Sequence, residues 1–369
     1  MRLARVALRI LTMRLKAPFV TSFGSQEERR FLLVDVDMDG VQGLGEVTCF
    51  GSPLYNEEFT DGAFLVLRDY LIPALLGKEI GHPSEVIDRL SFVRRHHMAK
   101  AGLEGAIWDA YAKAQGVPLW QALGGERRPV PVGVSIGIQD SPAALAATAS
   151  AFHAQGYRRL KLKIEPGRDI DYVAAVRRAL PDALIMADAN SAYRLGDADH
   201  LSALDDMSLM MLEQPLGCDD IFEHAELQKR LRTPICLDES IHTPEDAALA
   251  IRLRSCGIIN IKVGRVGGLE NVRRMAAIAQ AAGVPVWCGG MLESGVGRAH
   301  NIALASLPAF TLPGDTSGSD RYWHQDIVTP PVTVAADGTI ALPEGPGIGY
   351  EPDWPAIERL TEASYNFAA

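Results

Sequence analysis

The chain has 369 residues, with 36 Lys+Arg against 46 Asp+Glu and a formal net charge of −10. At roughly 150 residues per domain this length suggests two or three domains. An acidic balance with no basic block argues against nucleic-acid or anionic-membrane partners, and no apolar run reaches the ~18–20 residues of a membrane span.

The start, MRLARVALRILTMRLKAP, is broken by Arg and Lys every few residues, so it reads as a mature strand and not as a signal peptide. VALRILTMRL, RRFLLVDVDM and VQGLGEVTCF alternate as three antiparallel strands, with a Met-Asp-Gly turn between the second and third. A polar gap, 21–28, separates the first two, and a loop, 51–56, follows the third. EEFTDGAFLVLRDYLIPALL and MAKAGLEGAIWDAYAKAQG then have helical spacing. Strands followed by helices predict a small α+β domain over 1–125.

From about residue 130 short apolar runs alternate with helical stretches. PVGVSIG, YRRLKLKI, ALIMADAN, LMMLEQP, PICLDES, IINIKVG and VPVWCGG are seven such runs, and ALASLPAFTLPG is a weaker eighth. Apolar strands alternating with amphipathic helices predict a parallel sheet, and this number of units suits an α/β barrel over 126–318. The remainder, 319–369, is Pro- and Gly-rich, carries a hairpin signal in VTVAADGTIAL, and is expected to return to the first domain. Cysteines stand at 49, 218, 236, 256 and 288 with no CxxC pair. They read as small buried hydrophobes in a reduced, cytoplasmic compartment.

The most informative feature is a ladder of charged residues closing successive strands. Lys163, Asp188, Glu213, Asp238 and Lys262 follow at spacings of 25, 25, 25 and 24 residues. One β/α unit has about this length, so the five are expected at one level, at the barrel mouth where catalytic groups of this architecture gather. Three neighbouring carboxylates repel one another, and a divalent cation would relieve that repulsion. All-oxygen ligation by Asp188, Glu213 and Asp238 suits Mg²⁺, with Mn²⁺ or another divalent cation as a substitute. Asn190 and Glu239 are expected as supporting partners. The alternative is that each acid caps a helix or pairs with a lysine.

Lys163 and Lys262 would flank the ion from opposite sides. A lysine beside a dication and another cation has its pKa lowered and becomes a usable base. Lys161 shares a strand face with Lys163 and is the cation that would lower it. Simple salt bridging to the carboxylates is the alternative for both lysines. Arg265, three residues after Lys262, would either lower the lysine pKa by proximity or form a surface pair. A cation that clamps a carboxylate, with bases on both faces of the adjacent carbon, points to proton abstraction α to a carboxylate. The product is a stereoinverted acid or, if a β-group departs, an alkene.

The segments YRRLKLKIEPG, ADANSAY, LEQPL, PICLDES, NIKVGRVGG, VWCGGMLESGVGRAHN and LPGDTS resemble the enolase superfamily. They are closest to its muconate-lactonizing-enzyme subgroup and to the o-succinylbenzoate synthase / N-succinylamino acid racemase group within it. The resemblance implies a (β/α)7β-type TIM barrel with an α+β capping domain. It implies Asp188, Glu213 and Asp238 as Mg²⁺ ligands and Lys163 and Lys262 as acid/base residues. It further implies loops 19–24, with Phe23, and 51–56, with Tyr55, closing over the substrate. Ser135, Gly290, Met291, Leu292 and Glu293 would supply barrel-side contacts, and Tyr322 or Trp323 a wall. The implied partner is a small carboxylate substrate and the implied assembly a homo-oligomer. The implied reactions are racemisation of N-succinyl amino acids, syn-dehydration to o-succinylbenzoate, or both. Muconate cycloisomerisation and dipeptide epimerisation are the nearest alternatives. An epimerase would use acids such as Asp315 and Asp320 to hold a substrate ammonium. A non-catalytic barrel that binds a metal or carboxylate is the alternative of another class.

Overall fold

The computed structural model describes residues 1–22 and 24–369. Strands β1 (Leu3–Thr21), β2 (Gly24–Met38) and β3 (Val41–Val47) form an antiparallel sheet. β2 and β3 join through Asp39 and Gly40 at φ 51° and 83°, the left-handed pair that a tight hairpin requires. The stretch 21–28, expected as a gap, is largely strand. Phe19 pairs with Gln26, Val20 with Ser25 and Thr21 with Gly24, beyond a register shift after Arg14. Pairing uses main-chain groups, so polar residues extend a hairpin whose apolar end is already fixed.

β3 lies directly on the helix His97–Ala114. A Cβ on Gly43 would stand 2.1 Å from the Ala106 carbonyl oxygen, and one on Gly45 2.0 Å from that of Gly102. Only glycine admits this approach. The helix is buried on nearly every face because its other side meets the barrel. There the Glu104 carboxylate accepts the Leu269 and Glu270 N–H groups, and His300 lies against the Gly105 carbonyl.

The barrel strands follow β4 (Val130–Pro131). They are β5 (Gly133–Ile136), β6 (Arg159–Lys163), β7 (Leu184–Asp188), β8 (Leu212–Glu213), β9 (Ile235–Leu237), β10 (Ile258–Ile261) and β11 (Val286–Cys288). They lie parallel and in chain order, as their buried apolar sequences predict. The eighth apolar run is not a strand. The helix Gly295–Ala305 takes its beginning, and Phe310 and Gly314 make single bridges to Val286 and Val132. Pro313 has no N–H to offer a ladder. Gly133 N–H donates to Gly314 O at 2.7 Å and Asp315 N–H to Cys288 O at 2.8 Å, so the segment still ties both edges together.

Inside the ring Met186, Met211, Cys236, Ile258 and Trp287 form a separate buried cluster. Two residues further along β7, β8, β9 and β10 come Asp188, Glu213, Asp238 and Asn260. Alternation along a strand places both sets on the inward face, so an apolar plug lies beneath a polar layer.

In the C-terminal segment β12 (Val328–Thr329) pairs with β14 (Glu351–Pro352). The hairpin signal gives a turn, Gly338 N–H to Ala335 O at 2.9 Å. Its strand β13 (Thr339–Ile340) pairs with β4, and Ala335 N–H donates to Thr339 O at 2.8 Å across the turn. The last strand, β15 (Thr361–Ala368), joins the first sheet beside β1, with Arg5 opposite Ala368. Four cysteines are buried as expected, whereas Cys218 is exposed in the loop after β8. No helix among the described residues is long and apolar enough to cross a membrane.

Candidate active site

Arg159, Lys161 and Lys163 alternate along β6 and share its inward face. Lys163 is level with Asp188, and Asp188 with Glu213. The single level expected for all five ladder residues ends there. Glu213 faces Cys236, which puts Asp238 two residues further along. Cys236 faces Ile258, so Asn260 falls in step with Asp238 and Lys262 lies two residues beyond. Stagger of this kind closes a ring of tilted strands, and a slip of two preserves the inward face.

Asp188, Glu213 and Asp238 are each 0% exposed. Lys161 Nζ lies 2.8 Å from Asp188 Oδ2, 2.8 Å from Glu213 Oε2 and 3.1 Å from Asp315 Oδ2. Lys163 Nζ donates to Asp188 Oδ2 and to Asn190 Oδ1, both at 2.6 Å. Asn190 Nδ2 donates to Glu239 Oε1 at 2.8 Å. Lys262 Nζ donates to Asp238 Oδ2 at 2.8 Å and to the Tyr55 hydroxyl at 2.9 Å. Ion pairing and a flanking arrangement of lysines, posed as alternatives by the sequence, are thus both present.

The two flanking lysines differ in acidity. Burial holds Lys163 below the usual lysine range, and the nearby Lys161 adds to the effect against the pull of Asp188. Lys262 was expected to be lowered too, but its direction is upward. Burial pulls it down and is outweighed by Tyr55, Glu239 and Glu213. Lys161 is held well above its ordinary value, because Asp188, Asp315 and Glu213 overcome the cost of burial. Glu213 and Glu239 are raised, by burial first and then by neighbouring acids.

Arg265 is neither a surface residue nor the group that sets Lys262. It is 1% exposed and pairs with Asp238. Its Nε donates to Ile241 O at 2.8 Å and its Nη2 to Asn260 O at 2.6 Å. The guanidinium therefore braces the loop after β9 against β10.

The mouth opens into a cavity of about 670 Å³. Lys161, Lys163, Lys262, Asn190, Tyr55 and Ser135 line it, as do Gly290, Met291 and Leu292. The first domain contributes Phe19 and Phe50 as well. Phe23 lies outside the described residues. Tyr322 takes the pocket face, while Trp323 sits behind it and donates from Nε1 to Glu293 O at 3.1 Å.

Three groups at this site escaped the sequence reading of the ladder. Asn260 Nδ2 donates to Glu213 Oε1 at 2.7 Å. Arg159 and Lys161 both pair with Asp315, and they hold its carboxyl at about 2 despite burial. Period-two counting back from Lys262 and Lys163 would have found Asn260 and Arg159. Asp315, bound to two cations of the protein, is not free to hold a substrate ammonium.

The donor set suits a hard divalent cation. Glu239 Oε2 is buried and accepts no hydrogen bond among the described residues, Glu213 Oε2 meets the Lys161 ammonium, and carboxylate oxygens are the donors that Mg²⁺ prefers. In this structure the cationic side chains hold the carboxylates. No group of three His, Cys, Asp or Glu stands in a ligating arrangement among the described residues.

Residues 5–124 match the family described as mandelate racemase / muconate lactonizing enzyme, N-terminal domain, and residues 144–356 the enolase C-terminal domain-like family. An o-succinylbenzoate synthase of Geobacillus kaustophilus is 54% identical over 97% of this chain and 95% of its own. An N-succinylamino acid racemase of Thermus thermophilus is 47% identical over 98% of each. A crystal structure of an enolase-superfamily member from Listeria innocua superposes with a TM-score of 0.96 at 40% identity, covering 100% of this chain and 99% of that one.

Proposed function

Because the chain belongs to the mandelate racemase / muconate lactonizing enzyme family of the enolase superfamily, we propose that its pocket abstracts the proton α to a substrate carboxylate. The reactions are racemisation of N-succinyl amino acids, syn-dehydration to o-succinylbenzoate, or both, as the names of its relatives suggest. The observation that carries this reading is the pair Lys163 and Lys262. They face one cavity from either end of the carboxylate series and are shifted in opposite directions.

Asp188, Glu213 and Asp238 would hold Mg²⁺, with Asn190 and Glu239 beside them. When bound, that ion supplies Lewis-acid stabilisation of the negative charge that develops on the substrate carboxylate. The chain's own residues supply the proton chemistry. Lys163, lowered by burial, takes the α-proton on Nζ. In dehydration it passes the same proton to the departing hydroxyl on the same face, while Lys262 remains an ammonium and offsets negative charge across the pocket. In racemisation Lys262, as an ammonium, delivers a proton to the opposite face. The reverse direction exchanges the two roles.

Charge supports a carboxylate substrate. Around the mouth five acids, Asp188, Glu213, Asp238, Glu239 and Asp315, meet five basic side chains, Arg159, Lys161, Lys163, Lys262 and Arg265. With Lys163 neutral as the base, a dication added to this ring leaves one positive charge, which a substrate carboxylate neutralises. Dipeptide epimerisation is disfavoured by the pairing of Asp315 with Arg159 and Lys161. We further propose a cytoplasmic homo-oligomer acting on small carboxylates.

The test is a paired assay with Mg²⁺ of the dehydration substrate and of N-succinyl amino acids, with α-proton exchange followed in deuterium oxide. Turnover or exchange in either series supports the reading. The absence of both contradicts it and leaves the non-catalytic barrel.

A further inference from the structure

We propose that Arg29 is a positioning residue that locks the loop after β3 to the loop Gly290–Glu293, and so fixes the pocket wall that selects the substrate side chain. The inference rests on the reading of this pocket as the substrate site.

Arg29 belongs to β2 yet is 1% exposed. Its Nη1 donates to Cys49 O at 2.7 Å and its Nη2 to Thr48 O at 2.9 Å. Its Nε reaches Leu292 O at 3.4 Å. The guanidinium carbon stands 4.8 Å over the ring of Phe50. One planar cation therefore binds three carbonyls on two loops that are about 240 residues apart in sequence. Phe50 and Leu292, one from each loop, line the pocket.

Leu292 adds a second, independent observation. Its φ is 58°, a left-handed state that leucine occupies only at a cost. Strain at a ligand-lining position persists when the surroundings over-determine it. The flanking atoms are pinned too. Glu293 O accepts from Arg298 Nη2 at 2.8 Å, and Met291 N–H donates to Glu293 Oε1 at 2.8 Å. Arg29 supplies the bond that comes from the capping sheet. A lysine there keeps the charge but cannot reproduce the fork of donors or its stack on Phe50.

Hydrogen exchange of the full-length protein tests the link without substrate. In Arg29→Lys, amides in 48–56 and 290–294 should lose protection together, by roughly tenfold, while β6 and β7 remain unchanged. Loss confined to one loop overturns the proposal. If Arg29→Lys does not fold, Leu292→Gly probes the same link from the other end, since glycine needs no clamp at this φ. Exchange should then rise in both loops, and a rise in 290–294 alone overturns the link. Kinetics provide the second readout. Arg29→Lys should raise KM for N-succinyl-phenylalanine about tenfold with kcat within about threefold, and narrow its preference against N-succinyl-alanine. An unchanged preference overturns the selective role. A wild-type protein silent on both substrates counts against the functional reading, whereas uncoupled exchange counts against Arg29.

Discussion

Tyr55 and Lys262 are 207 residues apart in sequence, yet the lysine Nζ donates to the phenol at 2.9 Å and stands 4.5 Å over its ring. A loop of the capping domain thus touches a lysine at the barrel mouth directly. A hydrogen bond to a charged group contributes about 1.5–3 kcal/mol, or roughly tenfold or more in rate where it acts in the transition state. Tyr55→Phe should therefore slow racemisation by at least about tenfold. Dehydration, in which Lys262 only holds its charge, should fall less. Equal losses in the two steady-state assays would show that Tyr55 merely shapes the pocket.

The two lysines should separate by reaction. Lys163→Ala should abolish both racemisation and dehydration, because the same Nζ takes and returns the proton in the second. Lys262→Ala should abolish racemisation and leave α-proton exchange of a single enantiomer with solvent. Proton NMR in deuterium oxide distinguishes the enantiomers. Exchange of both enantiomers at equal rates in Lys163→Ala would refute this division of roles.

Asp238→Asn removes the acid that faces both Lys262 and Arg265. Activity should drop by more than about a hundredfold, and chelation of the wild type should have a comparable effect. The variant should also melt earlier, since two buried cations lose their counter-charge at a cost of roughly 3–5 kcal/mol. Near-normal turnover after chelation would exclude the metal role. Circular dichroism confirms that the fold persists.

Three buried glutamates set a pH dependence of stability. Glu46, Glu58 and Glu104 are each pushed up from 4.5 to about 7, chiefly by burial. Each bonds the start of a helix or the turn before it. Glu46 accepts from Ser294 and Gly297, Glu58 from Met98 and Ala99, and Glu104 from Leu269 and Glu270. A folded pKa above the unfolded one means that the native state binds protons more tightly. The contribution is complete below about pH 4.5 and is lost as pH rises through about 7, on the order of 3 kcal/mol per group. Urea midpoints should fall across that window. Glu46→Gln or Glu104→Gln should flatten the fall, and an undiminished slope in both variants would discount these carboxyls.

The spacing of 24–25 residues made the ladder legible, because a β/α unit has nearly constant length and charged residues are conspicuous at the ends of apolar strands. Register was not legible. The two-residue slips that place Asp238 and Lys262 beyond Glu213 come from ring closure, which acts across all the strands at once. The upward direction of Lys262 was hidden for a related reason, since Tyr55 reaches it from another domain. The missing eighth strand is in part a local matter, because Pro313 has no N–H to give a ladder. Arg159 and Asn260 are legible in the sequence, since their alternation with Lys161 and Lys262 signals the inward face.

The pairing of β1 with β15, residue 5 against residue 368, has a consequence for synthesis. The strand that covers the outer edge of β1 begins at Thr361, whereas β1 ends at Thr21, so some 340 residues are made between the two. At about 5–20 residues per second that interval is roughly 20–70 s. Throughout it β1 presents unpaired main-chain groups on one side, which is the kind of edge that recruits other chains. Until β15 is made, no residue of the chain itself covers that edge of β1. A chain stopped after Leu360 keeps that edge permanently open and should aggregate where the complete chain does not.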